Sequence, residues 1–328
     1  MIRNQWYVLL ESAEVKRRPV GVTRMGEKMV FWRDGAGQVI CMPDKCVHRG
    51  IELSTGEVLA NGHLQCPFHG FEFDSSGRVV LIPANGRSAP VPRAFCIQPY
   101  PTYEAHGFIW AWWGRNPTES LEPPQWFADI DESLHYKTAR DPWGAHYSRV
   151  IENQLDVSHV PFIHRNTIGR GNRTLVEGPG IEWVNPDAFN VYTYNKLDDG
   201  SRPRTPEEVP VPRPDRDFRL EFIYPNLWQN HISDKMRVVI AFTPVDDHHT
   251  LLYVRAYHKI ASAPLVRDVL SYLLLPSDIY VAHQDRRVVI THQPVASALR
   301  MGEQLIRSDR PIIEYRRRRQ ELMDAARA

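Results

Sequence analysis

Along residues 6–114 the apolar positions come in short runs broken by Gly and Pro. VGVTRMGEKMVFWRDGAGQVICMP holds two such runs either side of the turn Asp34-Gly35-Ala36-Gly37, and RVVLIP and AFCIQPYPTYEAHGFIWAWW continue the pattern. This spacing predicts a small all-β domain of sandwich or barrel type, without room for βαβ crossovers, and places Val30, Phe31 and Trp32 in its core. NPTESLEPPQWFADID, rich in Pro and acid, reads as a boundary near 115–132, dividing the chain into domains 1–130 and 131–328.

Beyond it the period changes. In SRVIENQLDVSHVPFIH, Val150, Leu155, Val157 and Val160 recur at helical spacing, closed by Pro161. Strand-like runs follow: FNVYTYNKL, DFRLEFIYPNLWQNHI, KMRVVIAFTPV and TLLYVRAYHKIA. The last three are expected to form an antiparallel meander turning at Ser233-Asp234 and over 246–249. DDGSRPRTPEEVPVPRPDRD has no periodicity and reads as a loop covering or bordering a pocket. LVRDVLSYLLLPSDIYVAHQDRRVVITHQ is helical in character and precedes a peripheral tail. The second domain is therefore predicted as α+β, a central antiparallel sheet with helices on one face.

With 328 residues, 42% of them apolar, the chain can bury a sizeable core without staples. A net charge of +1 argues against a nucleic-acid partner recruited by bulk attraction. The run Arg316, Arg317, Arg318 and Arg319 reads as a solvated or subunit-facing helix surface paired with Glu314 and Glu321. No stretch of about 18 uncharged apolar residues is present, and MIRNQWYVLLESAEVKRR does not read as a signal peptide. The four cysteines are too sparse for a secreted scaffold, so a cytoplasmic protein without a membrane partner is expected. All four lie at or before position 96, which sets the first third of the chain apart chemically.

Cys46-Val47-His48 and Cys66-Pro67-Phe68-His69 form C-x-H and C-x₂-H clusters separated by seventeen residues. Two cysteines and two histidines suit zinc or an iron–sulfur cluster. The order favours the latter: each loop gives one thiolate and one imidazole, as a Rieske centre requires, whereas a zinc finger more often groups its cysteines and then its histidines. CVHRG followed by CPFHGFEF resembles the Rieske oxygenase form of the motif. Cys41 and Cys96 match neither loop and are expected to be buried apolar cysteines.

ENQLDVSHVPFIH adds a second constellation. Asp156 precedes His159 by three residues, which on a helix puts both on one face, and Pro161 ends or distorts that helix where His164 must swing round. Two imidazoles and a carboxylate are the donor set of a facial triad for non-haem Fe(II). A helix with buried, hydrogen-bonded histidines would carry the same pattern.

With both motifs present, the chain resembles the Rieske non-haem iron oxygenase α-subunit family, from NQWY near its start to its C-terminal helices. The resemblance implies an all-β Rieske domain followed by an α+β catalytic domain of helix-grip type. It implies a [2Fe–2S] cluster on Cys46, His48, Cys66 and His69, and Fe(II) on His159 and His164. It makes Asp156 a bridge by hydrogen bonds from an iron-ligating histidine, here His159, to His69, or else His48, of a neighbouring subunit. The third iron ligand it implies is Asp285 in AHQDRRVVITHQ, with Asp278 as the fallback; Thr291 departs from a Glu frequent in the family. Asn153 contacts the iron or its water, or supports the site by hydrogen bonding.

The chain carries no G-x-G-x-x-G fingerprint, so the electrons, ultimately from NAD(P)H, are expected from a separate flavin and iron–sulfur reductase, with or without a ferredoxin. The resemblance also implies a homotrimer. The N-x₂-D-x₂-H-x₄-H spacing is similar to that of aromatic O- and N-demethylases and related monooxygenases. Hydroxylation or oxidative demethylation by O₂ of a small aromatic substrate is expected, with ring cis-dihydroxylation as the alternative and a non-catalytic Rieske electron carrier behind it. Candidate pocket residues are Phe162, Asn226, Trp228, Asn230 and His231, any of which could equally be core. Arg202, Arg204 and Arg213 could meet an anionic substrate or simply be solvated.

Overall fold

The structure, a computed structural model, describes residues 1–115, 120–212, 218–260 and 264–327. It divides into two compact units, Met1–Pro124 and Gln125–Ala328. The division falls earlier than the boundary at 130, and Asp129 explains why: its carboxylate accepts hydrogen bonds from Gln229, His231, Arg219 and Arg237, all of the second unit.

The first unit holds strands β1 (Gln5–Glu11), β2 (Val20–Arg24), β3 (Glu27–Arg33), β4 (Val39–Pro43), β5 (Glu57–Val58), β6 (Leu64–Gln65), β7 (Glu72–Phe73), β8 (Val79–Leu81), β9 (Thr102–Ala105) and β10 (Phe108–Trp113). They pair into small antiparallel sheets in the orders β1-β10-β9, β2-β3-β4 and β5-β6-β7-β8. β3 explains the unbroken apolar run MVFW. Successive side chains of a strand leave on opposite faces, and here both faces are covered. Met29 and Phe31 enter a core with Tyr7, Leu9, Cys41 and Ile109, whereas Val30 and Trp32 enter another with Leu53, Leu64, Phe73 and both Cys46 and Cys66. Cys41 is buried as expected, but Cys96 is exposed, because it sits in the irregular segment after β8 outside both cores.

The second unit is built on a seven-stranded antiparallel sheet, order β11-β17-β16-β15-β14-β13-β12, made of β11 (His135–Trp143), β12 (Leu175–Asn185), β13 (Ala188–Lys196), β14 (Arg219–Ile223), β15 (Leu227–Ser233), β16 (Met236–Pro244) and β17 (Thr250–His258). DFRLEFIYPNLWQNHI is two strands, not one: Tyr224-Pro225-Asn226 turns the chain, and Ile223 pairs with Leu227. The helices are α1 (Tyr147–Leu155), α2 (Val160–Ile163), α3 (Pro264–Val289) and α4 (Arg310–Ala325). They mark one face of the sheet. Phe222 packs edge-on against Tyr315 of α4 with ring centroids 5.4 Å apart, and His258 Nε2 lies 2.8 Å from Ser271 Oγ of α3.

The C-terminal helix is not a peripheral tail. Arg316 and Arg319 are buried; Arg316 donates to both Glu152 carboxylate oxygens (2.7 and 2.9 Å), and Arg319 donates to Tyr147 Oη and to the Ser297 carbonyl. Of the four arginines, Arg317 and Arg318 fit the expected surface pairing, with Glu314 and with Glu321 and Asp187. In the Pro-rich loop Arg204 is tied to Glu177 and Arg202 to Glu208, so neither is a free anion receptor; Arg213 lies outside the described residues. Among the described residues no helix is long and apolar enough to cross a membrane.

Candidate metal centres

The two Cys/His segments of the first unit fold into the same loop twice. Cys46 N–H donates to the Ile51 carbonyl (2.8 Å) and Gly50 N–H to the Cys46 carbonyl (2.9 Å); Cys66 N–H donates to Phe71 (2.9 Å) and Gly70 N–H to Cys66 (3.0 Å). Gly50 (φ +74°) and Gly70 (φ +72°) close the loops in the left-handed region that favours glycine. The thiols point inward and are 3% and 2% exposed, while His48 and His69 are exposed. Burial lifts the Cys46 thiol above its ordinary pKa, and a hydrogen bond with Cys66 adds to this.

At the outer end His48 Nδ1 lies 3.1 Å from His69 Nδ1, and the His48 ring stacks on Phe71 at 4.9 Å. Two facing ring nitrogens hydrogen-bond only if one carries the proton, but both can offer lone pairs to one metal. The donors thus sort into a thiol pair within and an imidazole pair outside, which fits two irons with different ligands better than one tetrahedral zinc.

The second centre is assembled from distant segments. α1 stops at Leu155, and Asp156 adopts an extended backbone (ψ 138°), so Asp156 and His159 do not share a helix face as the spacing suggested. Instead Asp156 Oδ1 accepts from Ser158 N–H (2.6 Å), a local turn that competes with helix, and Oδ2 comes to 3.2 Å from His159 Nδ1. Pro161 does not end a helix; it stands in the first turn of α2, where its missing N–H costs nothing, and α2 carries the chain from His159 to His164.

His164 Nε2 and His159 Nε2 lie 2.9 and 3.4 Å from Asp285 Oδ1 of α3. Among the described residues these three form the one group of metal-capable donors that converges within 4.8 Å. Asp285 Oδ1 is buried, yet neither contact has hydrogen-bond direction, so this oxygen lacks a hydrogen-bond partner. On their far sides both rings face acceptors: His159 Nδ1 faces Asp156, and His164 Nδ1 faces Gln284 Oε1 at 2.8 Å. Each Nδ1 therefore carries the proton and each Nε2 presents a lone pair toward the orphaned carboxylate oxygen. That donor set fits Fe(II) in a facial triad.

Burial lowers the His164 pKa, but Asp285 and Gln284 outweigh it, so the ring takes a second proton at Nε2 more readily than a free imidazole, and an ion held there would displace that proton. Asp278 lies two helical turns before Asp285, outside the converging group, and burial pushes its carboxyl up to about 6. Asn153 Nδ2 in α1 is buried without a hydrogen-bond partner.

The expected pocket residues separate by strand parity. Trp228 stands directly opposite Phe222, which touches α4, so Trp228 and, two residues on, Asn230 face the helices. Trp228 Nε1 and Asn230 Oδ1 are buried and have no hydrogen-bond partner among the described residues. His231, one residue out of phase, is on the opposite face with Nδ1 2.7 Å from Asp129 Oδ2, which corrects its expected place in the pocket. Asn226 is buried at the β14–β15 turn with Nδ2 donating to the Phe242 carbonyl at 3.2 Å, and Phe162 is 64% exposed. Gln284 and Thr167 were missed by sequence reasoning; the adjacency of Gln284 to a candidate ligand was the one signal available.

Residues 5–101 match the Rieske [2Fe-2S] domain, and 143–325 match the vanillate O-demethylase oxygenase C-terminal domain. The vanillate O-demethylase oxygenase subunit of Pseudomonas sp. is 34% identical over 58% of this chain and 52% of its own length. The dicamba O-demethylase oxygenase component of Stenotrophomonas maltophilia is 31% identical over 55% and 54%. The match spans between about a quarter and a half of the length of the curated relatives. The structure of Pseudomonas putida NdmA with caffeine superposes with a TM-score of 0.78 at 24% identity, covering 99% of this chain and 92% of that one, a likeness of fold. With its N-terminal unit matched as a Rieske [2Fe–2S] domain and more than half its length matched by the catalytic domain, the chain belongs to the Rieske non-haem iron oxygenases of the vanillate O-demethylase type.

Proposed function

We propose that this chain is the terminal oxygenase of a multi-component system, taking electrons from a separate reductase and using O₂ to hydroxylate or oxidatively demethylate a small aromatic substrate. The observation that carries this reading is the convergence of His159 Nε2, His164 Nε2 and Asp285 Oδ1 within 4.8 Å. Three protein donors on one side of an ion leave its other positions open. Cys46, His48, Cys66 and His69 would hold the cluster, and His159, His164 and Asp285 would hold Fe(II). The cluster supplies stored electrons and Fe(II) supplies O₂ activation.

The remaining roles belong to neighbouring side chains. Burial tends to raise the Asp156 carboxyl, but its bonds with His159 and Ser158 outweigh this and keep it ionised. It accepts the His159 Nδ1 proton on one side. Its side chain stays 23% exposed, and Ser158 Oγ lies 2.8 Å from Ser308 Oγ, which ties this turn to the segment before α4. A partly exposed, ionised carboxylate suits a hydrogen bond from the exposed His69 of a second copy, closing a head-to-tail homotrimer with Asp156 as the electron bridge. Asn153 Nδ2 would hold a water at the iron. Trp228 Nε1 and Asn230 Oδ1, buried and unsatisfied, would be matched by a polar group on a planar substrate, since leaving them unmatched costs about 1–3 kcal/mol each. We place the protein in the cytoplasm on the sparseness of its cysteines, four in 328 residues, two of which would hold the cluster.

Aerobic turnover with ¹⁸O₂, a generic reductase and a panel of methoxy-, N-methyl- and unsubstituted aromatics tests this. Formaldehyde release or one labelled oxygen in the product is expected. Products carrying two oxygens and two added hydrogens would replace monooxygenation with cis-dihydroxylation.

A further inference from the structure

His164 is held by both ring nitrogens from one helix. Nε2 faces Asp285 Oδ1 at 2.9 Å, and Nδ1 faces Gln284 Oε1 at 2.8 Å. Successive residues of a helix point about 100° apart, so the side chains of Gln284 and Asp285 diverge from α3 and straddle the ring. The same Gln284 oxygen also accepts from the Thr167 hydroxyl at 2.9 Å. We propose that Gln284, braced by Thr167, is a positioning residue that fixes His164 in the tautomer and orientation iron requires, and does so as a neutral amide where the other histidine ligand is backed by a carboxylate.

The chemistry runs through the proton. A lone pair at His164 Nε2 requires hydrogen at Nδ1, and that hydrogen needs an acceptor because the residue is 1% exposed. The Gln284 amide must present oxygen to it, since the reversed amide would set N–H against N–H. Thr167, whose hydroxyl lies 2.9 Å from this oxygen and 3.2 Å from the His164 carbonyl, braces the amide, while the His164 Nδ1 proton sets which way it points. His159 differs: its Nδ1 faces the Asp156 carboxylate at 3.2 Å. A carboxylate behind an imidazole raises its basicity as a ligand and an amide does so less. The two histidines are then unequal, the charge-backed one standing on the Asp156 side and the neutral one anchored to α3.

The inference rests on the reading that this triad holds Fe(II), and the test separates the two. In full-length protein, Gln284→Met keeps length and apolar volume but removes the acceptor, and Gln284→Glu restores one. Gln284→Met is expected to weaken Fe(II) binding by about 10- to 100-fold, with the Rieske absorption spectrum unchanged. In metal-free ¹⁵N-histidine-labelled protein it is expected to mix the His164 ring tautomers. Gln284→Glu is expected to bind Fe(II) within a few-fold of the parent and keep the Nδ1–H form. Thr167→Val is expected to weaken Fe(II) by about two- to ten-fold, the worth of one neutral hydrogen bond, and keeps the test open if Gln284→Met does not fold. Parental affinity and tautomer in Gln284→Met would overturn the proposal, and so would equal losses in the Met and Glu variants. If instead Asp285→Ala binds Fe(II) like the parent, the iron reading fails, while the tautomer measurement still decides the role of Gln284.

Discussion

In the N-terminal unit the four candidate ligands lie within residues 46–69, on two loops closed by the same pair of backbone hydrogen bonds. In the second unit His164 and the helix that grips it are 120 residues apart in sequence at Gln284. The first centre is a local object: its loop geometry is set by neighbours and two left-handed glycines. The second depends on how α1, α2 and α3 are brought together, and therefore on buried contacts far from the iron, among them the Arg316–Glu152 pair that fastens α4 to α1. Damage to one centre should leave the other intact, and packing damage in the second unit should be felt at its iron.

The largest effect expected is from Asp285→Ala, which removes the carboxylate both Nε2 atoms face: iron content and turnover should be lost while the cluster spectrum stays parental, read by metal analysis and absorption. Asp156→Ala should keep the cluster, weaken Fe(II) binding at His159 by about 10-fold or more, and with iron resupplied to saturation still cut coupled turnover by about 100-fold; parental turnover at full iron occupancy would remove it from the electron path. Arg316→Met takes one of two cationic partners from both the buried Glu152 and Glu303, leaving Arg149 to each, and should destabilise the second unit by about 1.5–3 kcal/mol. Denaturant unfolding measures this, and the cluster should be spared. Gly70→Ala places a Cβ at φ +72° and 3.0 Å from Pro83 Cγ, so a loss of about 1–3 kcal/mol is expected in the first unit, with cluster loading falling and iron unaffected.

The last effect is a pH dependence. Burial pushes the Glu221 carboxyl up from 4.5 to about 7, with Arg219 opposing and Asp129 reinforcing. The folded state then holds this proton more tightly than the unfolded chain does. Its contribution is fully present below 4.5 and is lost as pH rises to about 7. Thermal unfolding of Glu221→Gln against pH should show a flatter slope across that window, and an unchanged slope would remove Glu221 as its source.

Legibility in the sequence followed the same division. The cluster loops could be read because ligand order and glycine position are local, and the sheet because alternation is local too. The helix through Asp156 was misread because its apolar spacing continues past Leu155, while the Ser158 turn that breaks it leaves no apolar signature. His231 was misplaced because a single step along β15 reverses the face, and Tyr224-Pro225-Asn226, which sets that phase, was read as part of one strand. Arg316 and Arg319 looked solvated because a charge run does not reveal that Glu152 and Ser297 wait beneath it.

The scheme's central claim is that electrons pass from the cluster of one copy to the iron of another. Co-expression of Cys66→Ser, lacking the cluster, with Asp285→Ala, lacking the iron, each carrying its own tag, tests it in doubly purified mixed oligomers. If centres pair between copies, two inactive chains should together recover about a third of parental turnover, since each mixed trimer has one productive interface of three. Mixed oligomers with no turnover beyond that of either variant alone would contradict it.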